Sequence, residues 1–341
     1  PFTLYWRDGD VIRSLRSESQ EEPSVFLDPV KEFGLYLPPE EAYFQSWGAV
    51  SPDGGTLALV LVEEPDPVAS IDIPYPTHIY LLDRESRRLR QLVQYGAAPG
   101  WSSDGKQLAY ISTETGGLRI IDISNEVGRE LYTPDRANGH NVTNVTWSPD
   151  NRYLAILDEV LYESTSLLVI GTETGDVIRK PVDPLSNWVS SPQWSPTDEK
   201  IAFLWGAGVR GGGTQLRVVD LGGSQNQLAI GISSAGGVPR WSPDGLWIAY
   251  AGTAIYENLP RQVDLWLIDS KDGMPKRLTI DERINTGDES AHDTHPTWSP
   301  DGTQLIFRKA HELWTFSLID GSRRRLLTYL SDLNVGLVIG N

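Results

Sequence analysis

The stretch Thr297–Phe307 reads TWSPDGTQLIF. Five relatives precede it: AVSPDGGTLAL (Ala49–Leu59), GWSSDGKQLAY (Gly100–Tyr110), TWSPDNRYLAI (Thr146–Ile156), QWSPTDEKIAF (Gln193–Phe203) and RWSPDGLWIAY (Arg240–Tyr250). Aligned on Val50, Trp101, Trp147, Trp194, Trp241 and Trp298, the copies lie 46 to 57 residues apart. That period is the size of one four-stranded propeller blade. Ser-Pro-Asp-Gly is a turn in which proline presets φ and the glycine takes positive φ. Asn151 and Asp198 replace that glycine in the third and fourth copies, and both types tolerate the left-handed region. The turn joins a strand ending in Trp to a strand reading apolar-small-apolar. A recurring alanine there (Ala58, Ala109, Ala155, Ala202, Ala249) marks close approach of a neighbouring sheet, with the tryptophan filling the space between.

A second hairpin follows each copy, as in HIYLLDRESRRLRQL (His78–Leu92) and ELWTFSLIDGSRRRLLT (Glu312–Thr328). Alternation with polar or glycine turns makes both arms strands. One unit is therefore four antiparallel strands, a to d. Helical periodicity is absent; PPEEAYF (Pro38–Phe44) is expected to make at most one helical turn. Six units span about Gln45–Thr328, with blades near 45–93, 94–134, 140–181, 187–231, 235–280 and 291–329. TLYWRDGDVIRSLRS (Thr3–Ser17) aligns with the b–c segment of the sixth unit, PSVFLD (Pro23–Asp28) supplies a d strand, and DLNVGLVIGN (Asp332–Asn341) sits where a strand a belongs. The expectation is an all-β, seven-bladed propeller forming one domain over 1–341, its seventh blade split between 1–28 and 332–341. A split blade removes an open edge. The alternative is a six-bladed ring with an N-terminal arm.

The W-S-P-D-G-x-x-[LI]-A-[YF] pattern resembles the TolB-like, WD40-like Pro-Asp propeller repeat over nearly the whole chain. That family includes TolB, the propeller domains of prolyl-oligopeptidase-type peptidases and some lyases, so the resemblance implies fold more than function. It also implies an exported bacterial protein, periplasmic or extracellular.

The chain has 341 residues, 39% hydrophobic and 9% aromatic, enough for a sizeable core. Its net charge of −17 repels phosphate backbones, which argues against a nucleic-acid partner. Cysteine is absent, which excludes disulfides, thiolate metal sites and a cysteine nucleophile and suits export. No apolar run reaches the ~18 residues of a membrane span. The chain opens at Pro1 without methionine, as expected of a trimmed or processed form.

Antiparallel order puts the a–b and c–d turns on one face and the b–c and d–a loops on the other. Short uniform turns occupy the first face. The long connections fall on the second: Val62–His78, Trp205–Gln215, Gly252–Val263 and Ile280–Pro296. Loops carry function more often than scaffold does, so contact with a partner is assigned to the b–c/d–a face. The ligand-binding candidates there are Tyr75, His78, Tyr162, Trp188, Trp205, Arg210, Tyr256 and His295. Aromatics at a propeller mouth stack on sugars or hold peptides, and a glycine-flanked arginine clamps carboxylates; packing beneath long loops explains them equally. His140, His292 and His295, with Asp288, Glu289 and Asp293 nearby, are the candidate metal ligands; their plain reading is solvated loop residues. No G-x-S-x-G elbow is present, and GISSAG (Gly231–Gly236) has the wrong spacing. Carboxylate pairs such as Glu63/Glu64 and Asp158/Glu159 are what an acidic surface supplies by chance. The expected function is a non-catalytic module, without cofactor, that binds a protein, peptide or glycan. The alternative is a propeller lyase or hydrolase with a divalent metal at the channel mouth. A third reading is a subunit of a larger assembly, which a large flat apolar patch would mark.

Overall fold

The structure is a computed structural model describing residues 2–16, 23–38, 47–63, 76–160, 163–179, 187–207, 214–232, 237–253, 263–271, 274–279, 293–328 and 338–340. It is all-β, with seven blades of a β-propeller. In chain order, β1 (Thr3–Asp8), β2 (Val11–Arg16) and β3 (Ser24–Leu27) precede a short helix, α1 (Pro29–Phe33). Blade one is β4 (Gly48–Val50), β5 (Thr56–Leu61), β6 (His78–Asp83) and β7 (Leu89–Val93). Blade two is β8 (Gly96–Trp101), β9 (Gln107–Ser112), β10 (Leu118–Asp122) and β11 (Gly128–Tyr132). Blade three is β12 (His140–Trp147), β13 (Tyr153–Val160), β14 (Ser164–Gly171) and β15 (Val177–Arg179). Blade four is β16 (Asn187–Trp194), β17 (Lys200–Ala207), β18 (Thr214–Asp220) and β19 (Gln225–Ile232). Blade five is β20 (Arg240–Trp241), β21 (Trp247–Gly252), β22 (Asp264–Asp269) and β23 (Lys276–Arg277). Blade six is β24 (Asp293–Trp298), β25 (Gln304–Lys309), β26 (Glu312–Ser317) and β27 (Arg323–Leu327), and β28 (Val338–Gly340) ends the order.

The chain divides into two compact units. The first comprises Pro1–Tyr162, Leu168–Arg179 and Asp332–Asn341. Here the split blade forms as the ends of the sequence imply. β28 pairs antiparallel with β1, Thr3 opposite Gly340 and Tyr5 opposite Val338, and the sheet runs β28-β1-β2-β3. Successive blades stack through apolar layers. Tyr5, Ile12 and Leu27 meet Leu57, Leu59 and Leu82. Ala58 and Ile79 meet Leu108 and Tyr110, and Ala109 and Ile111 meet Trp147 and Leu154. The second unit comprises Glu163–Leu167 and Lys180–Ser331. Ala202 and Leu204 meet Trp241 and Tyr250, and Ala249 and Leu265 meet Trp298 and Phe307. The recurring alanine therefore lies where the next blade approaches, and a larger residue there would hold the blades apart.

The motif is a set of hydrogen bonds as well as a turn. Ser51 Oγ donates to Asp53 Oδ1 at 2.5 Å, the same oxygen accepts from the Gly55 amide at 2.9 Å, and Ser51 Oγ accepts from the Thr56 amide at 2.9 Å. Copies two, three, five and six repeat this arrangement. Four of the anchor tryptophans, Trp101 partly and the others almost fully buried, donate from Nε1 to a carbonyl of the preceding blade: Trp101 to Ala49 at 3.2 Å, Trp147 to Gly100 at 2.9 Å, Trp241 to Gln193 at 3.1 Å and Trp298 to Arg240 at 2.9 Å. The indole thus fills the gap between sheets and also fastens them.

Two expectations need correction. Asn151 does take positive φ, at 62°, but Asp198 does not. In that fourth copy Thr197 stands where the aspartate belongs, its Oγ1 lies 3.5 Å from Ser195 Oγ, and the turn closes differently, the Asp198 amide donating to Ser195 Oγ at 3.2 Å. Helix is not absent either: α1 starts at Asp28, whose Oδ1 accepts from the Lys31 amide at 3.0 Å, carries Pro29 in its first turn, and stops at Gly34 with φ 68°. Five residues are too few to show helical periodicity, so only the caps announce it. Apart from Pro38, the helical turn expected over Pro38–Phe44 lies outside the described residues.

Candidate functional site

The two sets of turns differ in what their side chains are free to do. On the a–b/c–d face the acidic residues cap their own turns. Ser51, Ser102 and Ser299 donate to Asp53, Asp104 and Asp301 and hold those carboxyls below their usual pKa. Asp320, bonded to Ser317 and Ser322, is held at about 2. Side chains already committed to their own backbone are poor candidates for a ligand site.

On the b–c/d–a edge of the first unit, two constellations stand out. His78, at the start of β6, is 4% exposed, and its Nδ1 accepts from the Tyr95 amide at 3.2 Å. Burial lowers its pKa. The Tyr95 ring lies 5.4 Å from it at φ 60°, and 38% of Tyr95 is exposed. Of this pair it is Tyr95, absent from the sequence-derived candidates, that faces solvent. Farther along, Asp158 near the end of β13 accepts from Tyr132 Oη at 2.7 Å and lies 3.0 Å from His140 Nδ1. Asp158 is buried, and burial together with its hydrogen bond raises the Tyr132 pKa. Glu159 beside it is also raised by desolvation. These carboxylates are not an incidental surface pair, as composition suggested: Asp158 orients a half-exposed imidazole.

In the second unit Trp188 stands 45% exposed on β16. It pairs with Gly206, whereas Trp205 pairs with Val189, so the two indoles project from opposite faces of blade four. Arg217 covers the Trp205 ring at 3.8 Å and donates from Nε to Gln215 Oε1 at 3.0 Å. His295 occupies a bulge in β24 between Thr294 and Thr297, at φ 54° and directly before Pro296. The same device, a left-handed residue before proline inside a bulge, recurs at Ala98 (φ 49°) in blade two and Ser191 (φ 56°) in blade four. A residue preceding proline avoids compact conformations, so these are costly positions that a bulge uses to re-aim the chain. The x-Pro-x-Trp spacing repeats in the sequence and was the available signal. His295 Nδ1 is buried without a hydrogen-bond partner, and burial, with Arg308 and Arg240 close by, lowers the imidazole pKa to about 4.

Tyr75, Tyr162, Arg210, Tyr256 and His292 lie outside the described residues. His140 belongs to the first unit and His295 to the second. Among the described residues no three histidine, aspartate or glutamate side chains gather as metal ligands.

This is the fold of the TolB-like β-propellers. No family model matches the chain. An uncharacterised protein of Agrobacterium fabrum is 26% identical over 231 residues, 66% of this chain and 69% of its own length. Dipeptidyl-peptidase 5 of Porphyromonas gingivalis is 23% identical over 76% of this chain, which spans only 36% of that peptidase. Among solved structures, TolB from Acinetobacter baumannii superposes with a TM-score of 0.51 at 15% identity, covering 81% of this chain and 65% of that one. An oligogalacturonate lyase in complex with manganese superposes with a TM-score of 0.63 at 14% identity, covering 98% of this chain and 88% of that one. At these identities the structural likenesses establish the fold alone. No helix among the described residues is long and apolar enough to cross a membrane.

Proposed function

We propose that the chain is a non-catalytic binding module that holds a protein, peptide or glycan on its b–c/d–a face, outside the cytoplasm. The observation that carries this reading is Trp188, a 45% exposed indole on the elaborated face, opposite Gly206, which leaves its ring uncovered by a cross-strand side chain. Exposed aromatics of this kind anchor partners by removing their ring face from water. The uniform face also carries exposed apolar side chains, Leu246 and Trp247 among them, but on short turns whose motif aspartates are bonded to their own backbone. The test is a screen of the purified chain against glycan and peptide arrays, repeated with Trp188→Ala. Loss of at least tenfold in affinity, with the ligand recovered chemically unchanged, supports the module; retained affinity in the variant contradicts it.

One observation favours the enzymatic alternative, a metal-assisted lyase or hydrolase. Asp158 holds His140 through Nδ1, and a carboxylate behind an imidazole is how proteins orient a histidine toward a metal through its other nitrogen. The manganese-bound lyase shares the fold over nearly the full chain. The described residues bring His140 no second and third ligand, so this reading depends on donors beyond them. Its test is metal analysis of wild type and His140→Ala: stoichiometric manganese lost in the variant would support it, and equal trace metal in both would not.

A further inference from the structure

We propose that Tyr95 is a second aromatic anchor of the b–c/d–a face, a preset platform that stacks on one ring of an uncharged glycan; the inference rests on the reading of that face as a binding face and names the ligand chemistry. Counted from the repeat's own anchor, Trp188 stands six residues before Trp194. The same position in the other blades holds Phe44, Tyr95, Asn141, Ala235 and His292. Three of the six are aromatic, against 9% of the whole chain. Phe44, Ala235 and His292 lie outside the described residues. For Tyr95 and Trp188 the equivalence is structural as well. Trp188 pairs with Gly206, and the Tyr95 carbonyl accepts from the Thr113 amide at 2.9 Å; Gly206 and Thr113 each lie twelve residues after their anchor. Both strands then bulge at one place, between Ser190 and Gln193 and between Ala97 and Gly100. Asn141, at the same register of blade three, shows that the fold does not require a ring there.

Tyr95 also stands where its backbone argues against it. Only Gln94 and Tyr95 connect β7 to β8, and Tyr95 turns the chain at φ 60°. Glycine or asparagine takes that conformation at lower cost than an aromatic residue. Asn141 and Trp188 reach the same register without positive φ. The strain is therefore local to this turn, and the ring is kept in spite of it.

A strained residue persists where its surroundings over-determine it, and here they do. The Tyr95 amide donates to Nδ1 of the buried His78 at 3.2 Å. The amide of the next residue, Gly96, donates to the Thr77 carbonyl at 2.9 Å, and the Gly96 carbonyl accepts from Thr77 Oγ1 at 3.1 Å. A Cβ on Gly96 would lie 2.9 Å from Ile79 Cδ1 and from Val93 Cγ1, so the chain has no room to shift there. The ring rests against the His78 imidazole and still leaves the residue exposed. An aromatic fixed in this way loses little freedom when a ligand arrives. The chemistry around the ring selects that ligand. An aromatic face stacks on the C–H face of a pyranose, while the hydroxyls at the sugar's edge take hydrogen bonds. The turn bonded to Tyr95 runs Thr113-Glu114-Thr115, with Glu114 exposed. A net charge of −17 repels acidic sugars and leaves uncharged ones unaffected. One residue type repeated at one register suits a ligand built of one repeated unit, which a polysaccharide is and a peptide of varied sequence is not.

Titration calorimetry on the full chain tests this with uncharged hexasaccharides of the cellulose, xylan, mannan and amylose types, hexagalacturonate being the acidic control. Saturable binding of at least one uncharged hexasaccharide, tighter than that of hexagalacturonate, is expected. Tyr95→Asn should weaken that binding roughly tenfold. The melting temperature of the free chain should hold or rise in the same variant, because asparagine relieves the turn. Tyr95→Phe, which keeps the ring, should stay within about twofold of wild type. If Tyr95→Asn does not fold, Tyr95→Gly, the least strained residue at this φ, takes its place. No binding of an uncharged hexasaccharide, tighter binding of hexagalacturonate, wild-type affinity in Tyr95→Asn, or an equal loss in Tyr95→Phe would overturn the proposal. The Trp188→Ala array screen reads the face independently: a peptide found there, with no hexasaccharide bound, would leave the module standing and remove Tyr95 as a sugar platform.

Discussion

His295 and Asp158 illustrate how burial settles what one side chain does. The folded His295 titrates near 4 rather than 6.5, so between those values the unfolded chain binds more protons than the folded one. Stability from this group is complete above pH 6.5 and declines as pH falls toward 4, by at most about 3 kcal/mol. His78, lowered by burial, acts with the same sign. Urea unfolding midpoints should therefore drop between pH 7 and pH 4.5, and His295→Gln should shrink that drop; an unchanged profile in the variant would contradict the burial of a neutral imidazole. At Asp158, Tyr132→Phe removes one of two hydrogen bonds to a buried carboxylate and should cost about 1 to 3 kcal/mol in the same assay. Neither residue announced its role in the sequence. His295 and His140 were visible as histidines in loops, but Asp158 looked like one acid among many, because composition carries no information about depth. Tyr95 was legible in principle, as an aromatic at the register that Trp188 holds in blade four.

At the scale of the element, the four-strand unit was readable because its turn chemistry repeats. Ser-Pro-Asp-Gly is fixed by three local hydrogen bonds, all within seven residues or so, and local bonds write themselves into local sequence. The fourth copy departs from it, with Thr197 and Asp198 replacing the aspartate and glycine. Restoring them together, Thr197→Asp with Asp198→Gly, should stabilise the chain by roughly 0.5 to 2 kcal/mol, the usual range for such consensus changes, read as a raised melting temperature. A loss of stability would mean that this blade needs its different turn. Helix α1 and the bulges before Pro99, Pro192 and Pro296 were harder to see. The helix is too short for a period, and a bulge is a backbone event that leaves only a proline behind.

At the scale of the whole molecule, the account rests on the seven blades and on which loops share a face. The split blade was legible because the chain's ends align with parts of the repeat that they jointly complete. Deleting 338–341 should bare the β1 edge, where Leu4 and Tyr5 are almost fully buried, and lower the melting temperature while promoting aggregation. Stability unaffected by that deletion would contradict the pairing. The long b–c and d–a connections, by contrast, vary in length and composition from blade to blade, so the repeat says where they emerge and not what they bind. The most direct test of the functional claim compares substitutions on the two faces: Trp188→Ala on the elaborated face and Leu246→Ala, 53% exposed on the a–b turn of blade five, on the uniform one. With the ligand found by array screening, affinity should fall at least tenfold in Trp188→Ala and stay at the wild-type value in Leu246→Ala. The reverse pattern, or equal loss in both, would contradict the assignment of function to the b–c/d–a face.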